Sequence, residues 1–145
     1  MPIYNPAGKY LVKLHFNGVA RKIVVDDRLP VSRGGELMCS HSTHREELWV
    51  SLIEKAYLKV MGGYDFPGGN SGIDMFALTG WIPEQFRTDA ADFNAQRLWE
   101  RMVSATKYGD CLITVATGDM SDAEGERLGL VPTHAYAVLQ VREVG

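Results

Sequence analysis

The chain has few cysteines, no long apolar run and no excess of basic residues, and each shortage excludes a class of protein. The two cysteines among 145 residues, Cys39 and Cys111, do not form a disulfide framework, which favours a reducing, cytoplasmic compartment. No apolar run approaches the roughly 18 residues that cross a bilayer, so we expect neither a transmembrane segment nor a signal peptide. Lys and Arg number 15 against 18 Asp and Glu, without a basic stripe, which argues against a nucleic-acid partner.

The composition is that of an ordinary globular protein, and the first half predicts a hairpin and a long helix. Hydrophobic residues make up 46% of the chain and charged residues 23%. Alternating apolar residues around Asn17-Gly18 predict a β-hairpin over residues 9–26. A short strand is expected at 36–39. A helix is expected at 44–61, where Thr43 and Glu46 have the spacing of a capping box and Gly62-Gly63 ends the apolar pattern.

The second half predicts short helices and strands, so the fold class is α+β. The glycine-rich stretch 66–72 predicts a boundary between one subdomain at 1–69 and another at 70–145. Asp92 is a candidate cap for a helix that ends at Gly109. The remaining predictions are a short helix at 74–78, a turn or helical turn at 83–86, a buried strand at 112–117, a capped helix at 121–127 and a last strand at 135–141.

The segment Gly129-Leu-Val-Pro-Thr-His-Ala-Tyr136 places a histidine between a turn and a strand. In the strand, His134, Tyr136 and Val138 alternate with small or aliphatic residues. A histidine at the start of a strand is rigidly held yet near a loop, which suits a general base. An imidazole still needs a nucleophile to deprotonate and a third group to orient it.

Four motifs resemble the protease core of the calpains. They are Val25-Asp-Asp-Arg-Leu-Pro30, the helix Leu48-Trp-Val-Ser-Leu-Ile-Glu-Lys-Ala-Tyr57, Leu78-Thr-Gly80 and the His134 segment, and they occur in the family's order. Val60-Met-Gly-Gly-Tyr-Asp-Phe-Pro67 and Thr79-Gly-Trp-Ile-Pro-Glu84 look most like the PalB type, the branch without a calmodulin-like calcium domain. The resemblance covers nearly the whole chain.

The resemblance implies an incomplete papain-like calpain core, comprising part of the helical first subdomain and the first part of the β-rich second. His134 matches the catalytic histidine of a cysteine endopeptidase, and Glu47 falls where conventional calpains have a calcium ligand. The family's Gln-Gly-x-x-Gly-Asp-Cys-Trp and Asn-Pro-Trp segments, which carry the nucleophile and the orienting asparagine, are absent from these residues. We therefore expect a piece of a longer enzyme, inactive alone, with protein substrates, flanking calpain domains and calcium as a candidate cofactor of the intact enzyme.

Other candidate sites have plainer interpretations. Gly109-Asp-Cys111 copies part of the nucleophile motif, but strand residues follow it, and a buried strand disfavours the thiolate, so an inert core cysteine is preferred. Cys39, His41 and His44 could supply three metal ligands, but their spacing matches no standard zinc pattern and a solvated turn is preferred.

Two carboxylate sites and the tryptophans are also weighed. Adjacent Asp26 and Asp27 point to opposite sides of an extended segment, so a turn that closes the hairpin is preferred to an acid/base pair. Glu47 at the start of a helix is stabilised there without any ion, and a calcium site needs about six oxygen ligands. Tryptophans are expected in the core or an interface rather than as substrate platforms, namely Trp49, Trp81 and Trp99.

Three hypotheses remain open. The first is a part of a cytoplasmic, PalB-type calpain in which His134 acts as general base. The second is a non-catalytic calpain-like module that binds protein partners. The third is a small domain stabilised by a metal at Cys39, His41 and His44.

Overall fold

A computed structural model describes residues 4–44 and 46–143, which divide into two compact units, Met1–Pro83 and Glu84–Gly145. The first unit begins with a hairpin of β1 (Lys9–Phe16) and β2 (Val19–Asp26), paired antiparallel from Lys9↔Asp26 to Phe16↔Val19. Asn17 and Gly18 both have positive φ, 50° and 72°, as a type I′ turn requires. The predicted hairpin is confirmed.

Helix α1 (Trp49–Met61) covers one face of the hairpin and closes the core of this unit. Leu14, Val25, Leu52 and Ala56 are the buried apolar residues of this cluster, surrounded by half-buried side chains of the hairpin and helix. Gly62 ends the helix at φ 109°, in the left-handed conformation that glycine adopts without strain. The predicted end of the helix is confirmed.

The predicted start of this helix is wrong. The helix begins after Leu48, which makes no side-chain capping bond, so the proposed capping box at Thr43 and Glu46 is not formed; position 45 of that motif lies outside the described residues. The preceding segment is instead anchored along the helix, because the Glu54 carboxylate accepts bonds from the Ser40 N–H and hydroxyl at 2.7 and 2.8 Å. Buried Ser51 donates to the Ser40 carbonyl at 2.7 Å.

The strand predicted at 36–39 is also wrong, since only an isolated bridge between Val31 and Leu37 forms there. The helix predicted at 74–78 is confirmed and is longer, α2 (Ser71–Thr79), capped by the Asn70 side chain. It packs against β1 and therefore lies in the first compact unit. The units consequently divide after Pro83, whereas the glycine-rich stretch suggested a boundary after residue 69.

The second unit contains α3 (Ala95–Tyr108), β3 (Thr114–Ala116), α4 (Asp122–Leu128) and β4 (Ala135–Ala137). Asn94, rather than the predicted Asp92, caps α3 by accepting a bond from the Arg97 N–H, and the helix ends at Gly109 as predicted. Ser121 caps α4 as predicted. Residues 83–86 form neither a turn nor a helix. Arg101 of α3 instead binds Glu84 in a two-bond ion pair at 2.6 and 3.0 Å and lies over the Phe86 ring.

Strands β3 and β4 form a two-stranded antiparallel sheet that is shorter and more exposed than predicted. Bonds from Thr117 N–H to the His134 carbonyl and from Val138 N–H to the Ile113 carbonyl extend the ladder by one step at each end. The expected burial of 112–117 is wrong, since Val115 is 51% exposed. Among the described residues each strand has one partner strand, and burial of both faces needs further layers. No helix in the described part of the chain is long and apolar enough to cross a membrane.

Candidate active site around His134

His134 lies immediately before β4, at the end of a turn that begins at Val131, and its side chain is exposed. Pro132 is the second residue of this turn. Thr133 follows with φ 47°, a left-handed conformation that is rare for a β-branched residue. Such strain persists only where surrounding contacts enforce it, and it occurs often at functional sites. The structure thus places the histidine directly before a strand and at the end of a strained turn, as the sequence predicted in part.

Thr117, the residue after β3, makes the contacts that hold this turn. Its hydroxyl donates to the Val131 carbonyl at 2.7 Å and accepts the His134 N–H at 2.9 Å, while its own N–H donates to the His134 carbonyl at 2.9 Å. The Thr133 N–H donates to the Gly118 carbonyl at 3.1 Å. The sequence interpretation did not include Thr117; a threonine at the end of a strand is a common residue, and only the pairing of β3 with β4 reveals its role.

Tyr136 contacts the imidazole from within the strand. The His134 and Tyr136 rings meet edge to face, with centroids 4.9 Å apart and planes at 84°. Aromatic pairs favour this geometry because the positive edge of one ring meets the negative face of the other. The Tyr136 hydroxyl is in turn held by the Val131 N–H at 2.8 Å.

The imidazole of His134 is exposed. Within residues 4–44 and 46–143, neither ring nitrogen of His134 has a hydrogen-bond or ion-pair partner. An exposed ring with both nitrogens available can accept a proton at one and be oriented through the other. It needs a nucleophile and an orienting group that this part of the chain does not provide at hydrogen-bonding distance.

Cys111 does not resemble an activated nucleophile. It is half-buried, follows the C-terminal end of α3 and lies in an irregular segment before β3, with its sulfur 3.9 Å from the Thr106 hydroxyl. Papain-like nucleophiles lie at the opposite end, the N-terminus of a helix, where the peptide dipoles favour a thiolate. The closed core expected around Cys111 is absent, since no apolar side chain of the second unit is fully buried in the described residues.

The metal candidates are not assembled into a site. Glu47 lies before α1 rather than in its first turn, is exposed, and accepts a bond from the Ser42 hydroxyl at 2.6 Å. His41 places Nδ1 3.1 Å from the Cys39 carbonyl. Across the described ranges, no three His, Cys, Asp or Glu side chains lie close enough together to hold a metal. A single carboxylate does not fit a calcium site by itself.

Asp26 and Asp27 have separate structural partners. Lys55 of α1 and the Arg28 N–H bind the Asp26 carboxylate and lower its pKa. The Asp27 N–H donates to the Gly8 carbonyl at 3.1 Å. Both residues therefore close the hairpin, as preferred from the sequence. The tryptophans are not core residues, being exposed by 44, 50 and 37% at Trp49, Trp81 and Trp99.

Residues 3–145 match the family model described as calpain family cysteine protease. The chain belongs to the calpain family. It is 60% identical over 144 residues to Calpain-7 of Mus musculus, and 45% identical over 141 residues to the calpain-like protease palB of Emericella nidulans. A calpain-like protease palB/RIM13 of Cryptococcus neoformans is 33% identical over 147 residues. The PalB-type resemblance and the incomplete α+β calpain core are thereby confirmed.

The match covers most of the chain but a small part of each relative. The match to mouse Calpain-7 covers 98% of this chain and 18% of the relative. The match to palB covers 97% of this chain and 17% of palB. The chain thus spans less than a fifth of the length of these curated relatives, which have room for further domains. The activity and substrates of a whole protein are therefore matters for proposal.

Proposed function

We propose that this chain supplies the general base of a calpain-type cysteine endopeptidase that hydrolyses peptide bonds in proteins, with His134 in that role. The observation that carries the proposal is the exposed imidazole, fixed by Tyr136 and by the Thr117-held turn, with no partner at either nitrogen in the described residues. Membership of the calpain family of cysteine proteases supports a thiol as the group that it deprotonates.

The chemistry follows from the position of the ring. His134 takes the proton from a cysteine thiol to give a thiolate–imidazolium pair, and the thiolate attacks the peptide carbonyl. The imidazolium then returns its proton to the leaving amine. Tyr136 limits the directions in which the ring can turn, so that the accepting nitrogen meets the thiol without a search for the right orientation.

These 145 residues should not cleave peptides alone, because Cys111 and Cys39 are the cysteines present and neither lies at the start of a helix. Incubation of the purified chain with a fluorogenic peptide, with and without a thiol-alkylating reagent, checks this. Hydrolysis that the reagent abolishes would contradict the expectation.

The role of His134 is testable in a chimaera in which this chain replaces the matching segment of mouse Calpain-7. His134→Ala should reduce turnover of an unstructured protein substrate by roughly 10²–10⁴, the usual contribution of a general base. His41→Ala, which removes another exposed histidine, and Cys111→Ala should leave turnover unchanged. Equal turnover in the His134→Ala chimaera would remove the histidine from the mechanism.

The alternative of a non-catalytic, protein-binding module predicts a different result in the same chimaera. Large apolar side chains are exposed on the hairpin, including Leu11 at 64% and Val19 at 54%, which a binding function would use. That function would survive His134→Ala and be lost on Leu11→Asp in a pull-down with the same substrate protein.

Calcium and the cellular compartment stay predictions. Glu47 would contribute one carboxylate oxygen to a calcium site in an intact enzyme, with the other ligands from outside the residues described here. Isothermal titration of the chimaera and of its Glu47→Gln variant would test this. The cytoplasmic location expected from the cysteines would be tested by fractionation of cells that express the whole protein.

A further inference from the structure

We propose that Thr117 is a positioning residue for His134, and that its hydroxyl fixes both the main chain and the ring direction of the histidine. The inference rests on the proposed function, because it deepens the account of the same base. In the described residues, the Thr117 hydroxyl bonds to main-chain atoms of Val131 and His134 and not to the imidazole nitrogens. It acts through the turn 131–134 and through Tyr136.

The contacts close a circuit of four residues. The Thr117 hydroxyl donates to the Val131 carbonyl at 2.7 Å, and the Val131 N–H donates to the Tyr136 hydroxyl at 2.8 Å. The Tyr136 ring lies edge to face with the His134 ring, and the His134 N–H donates back to the Thr117 hydroxyl at 2.9 Å. Each member is therefore held from two sides.

Only a hydroxyl can complete this circuit. A hydroxyl group donates one hydrogen and accepts at the same oxygen. Here the oxygen accepts the His134 N–H, and the hydrogen faces the Val131 carbonyl at 2.7 Å and the His134 carbonyl at 3.2 Å, so that the shorter contact to Val131 is favoured. Valine has nearly the same shape as threonine, but it would leave the His134 N–H and the Val131 carbonyl without these partners. Serine keeps the hydroxyl and loses the methyl group.

The four-residue circuit holds Thr133 in its strained backbone conformation. A β-branched residue at φ 47° relaxes to negative φ when its neighbours allow, and that relaxation would turn the residue that follows it. The Thr117 contacts to Val131 and His134 hold the peptide groups on both sides of Pro132 and Thr133. Loss of the hydroxyl should therefore change the direction in which the imidazole points, beyond any general loosening of the strand.

The experiment compares Thr117→Val with Thr117→Ser by NMR on the 145-residue chain. In the valine variant we expect the amide hydrogen of His134 to exchange with solvent about tenfold faster or more. The reason is that the His134 N–H loses its bond to the Thr117 hydroxyl, so that local opening costs less free energy. The cross-relaxation between the His134 and Tyr136 rings should fall at the same time. The serine variant should retain both signals, which distinguishes the hydroxyl from mere packing.

Tyr136→Phe removes a different hydrogen bond of the circuit, the one from the Val131 N–H to the Tyr136 hydroxyl. It therefore provides a second test if the valine variant fails to fold. Phenylalanine removes the bond from Val131 but leaves both Thr117 bonds, so the His134 amide should stay protected while the rings separate more often. Loss of both signals in the serine variant, or retention of both in a folded valine variant, would overturn the proposal.

Kinetics of the chimaera described above separate this inference from the proposed function. If both hold, Thr117→Val lowers kcat by more than it changes KM, and Thr117→Ser restores kcat. If His134→Ala leaves turnover intact, the proposed function fails, whereas the NMR result still decides whether Thr117 positions the histidine. If the valine variant has normal kcat and pH profile, the positioning role fails while His134 remains the base.

Discussion

The small core of the first unit makes Leu14→Ala its most damaging simple truncation. Leu14 is 1% exposed and packs with Val25, Leu52 and Ala56. Truncation of a fully buried leucine to alanine costs about 2–5 kcal/mol, the sum of the lost transfer energy and the cavity left behind. A unit of this size is stable by roughly 4–12 kcal/mol, so a large fraction of its stability should disappear.

Leu11→Ala is the matched control, because it makes the same chemical change three residues earlier in the same strand. Leu11 is 64% exposed, and truncations of such surface residues usually change stability by less than about 0.5 kcal/mol. The two free energies of unfolding should therefore differ by about 2 kcal/mol or more.

The assay is urea unfolding followed by tryptophan fluorescence in a Trp99→Phe background. Trp49 and Trp81 then report on the first unit alone. Similar midpoints for the two variants would show that burial of Leu14 in the hairpin–helix core does not stabilise this unit, and would refute the reasoning.

Two further predictions concern a glycine and a tyrosine. A Cβ on buried Gly125 would lie 2.7 Å from the Leu130 carbonyl oxygen, so Gly125→Ala should lower the melting temperature of the second unit. The control is Gly118→Ala, which should leave the melting temperature unchanged because nothing lies within 4 Å of the added Cβ. Equal melting temperatures of the two variants by circular dichroism would contradict this prediction. Burial, followed by the hydrogen bond to Asp74 at 2.5 Å, raises the pKa of Tyr57 to about 12. Because the fold favours the neutral phenol, this contribution is complete below pH ~10 and is lost as the pH rises toward about 12. Tyr57→Phe should weaken that alkaline loss of stability, and a Tyr57 absorbance titration near pH 10 would refute the assignment.

Features governed by local chemistry were predictable from the sequence. The Asn17-Gly18 turn, the end of α1 at Gly62 and the cap of α4 at Ser121 each depend on the backbone preference or side-chain reach of one or two residues. The position of His134 before a strand was predictable for the same reason. Its assignment as a general base came from resemblance to a family, and it stays a prediction.

Features that depend on residues distant in sequence were not predictable from the sequence. The helix α1 begins at Trp49, and the segment before it is bound through Ser40 to Glu54, 14 residues away in sequence. Likewise, α2 packs against β1 in the first unit, and Gly80 after the helix lies close to His15 of β1, where an added Cβ would be 3.3 Å from the imidazole.

Residue order alone therefore determined the turns, the caps and the presence of a histidine beside a strand, since these depend on interactions within a few positions of the chain. Tertiary structure decided how that histidine is held. Thr117 is 17 residues from His134 in sequence, and only the pairing of β3 with β4 brings its hydroxyl to the strained turn. A hydrogen bond requires its atoms within about 3 Å, and no local preference encodes that proximity.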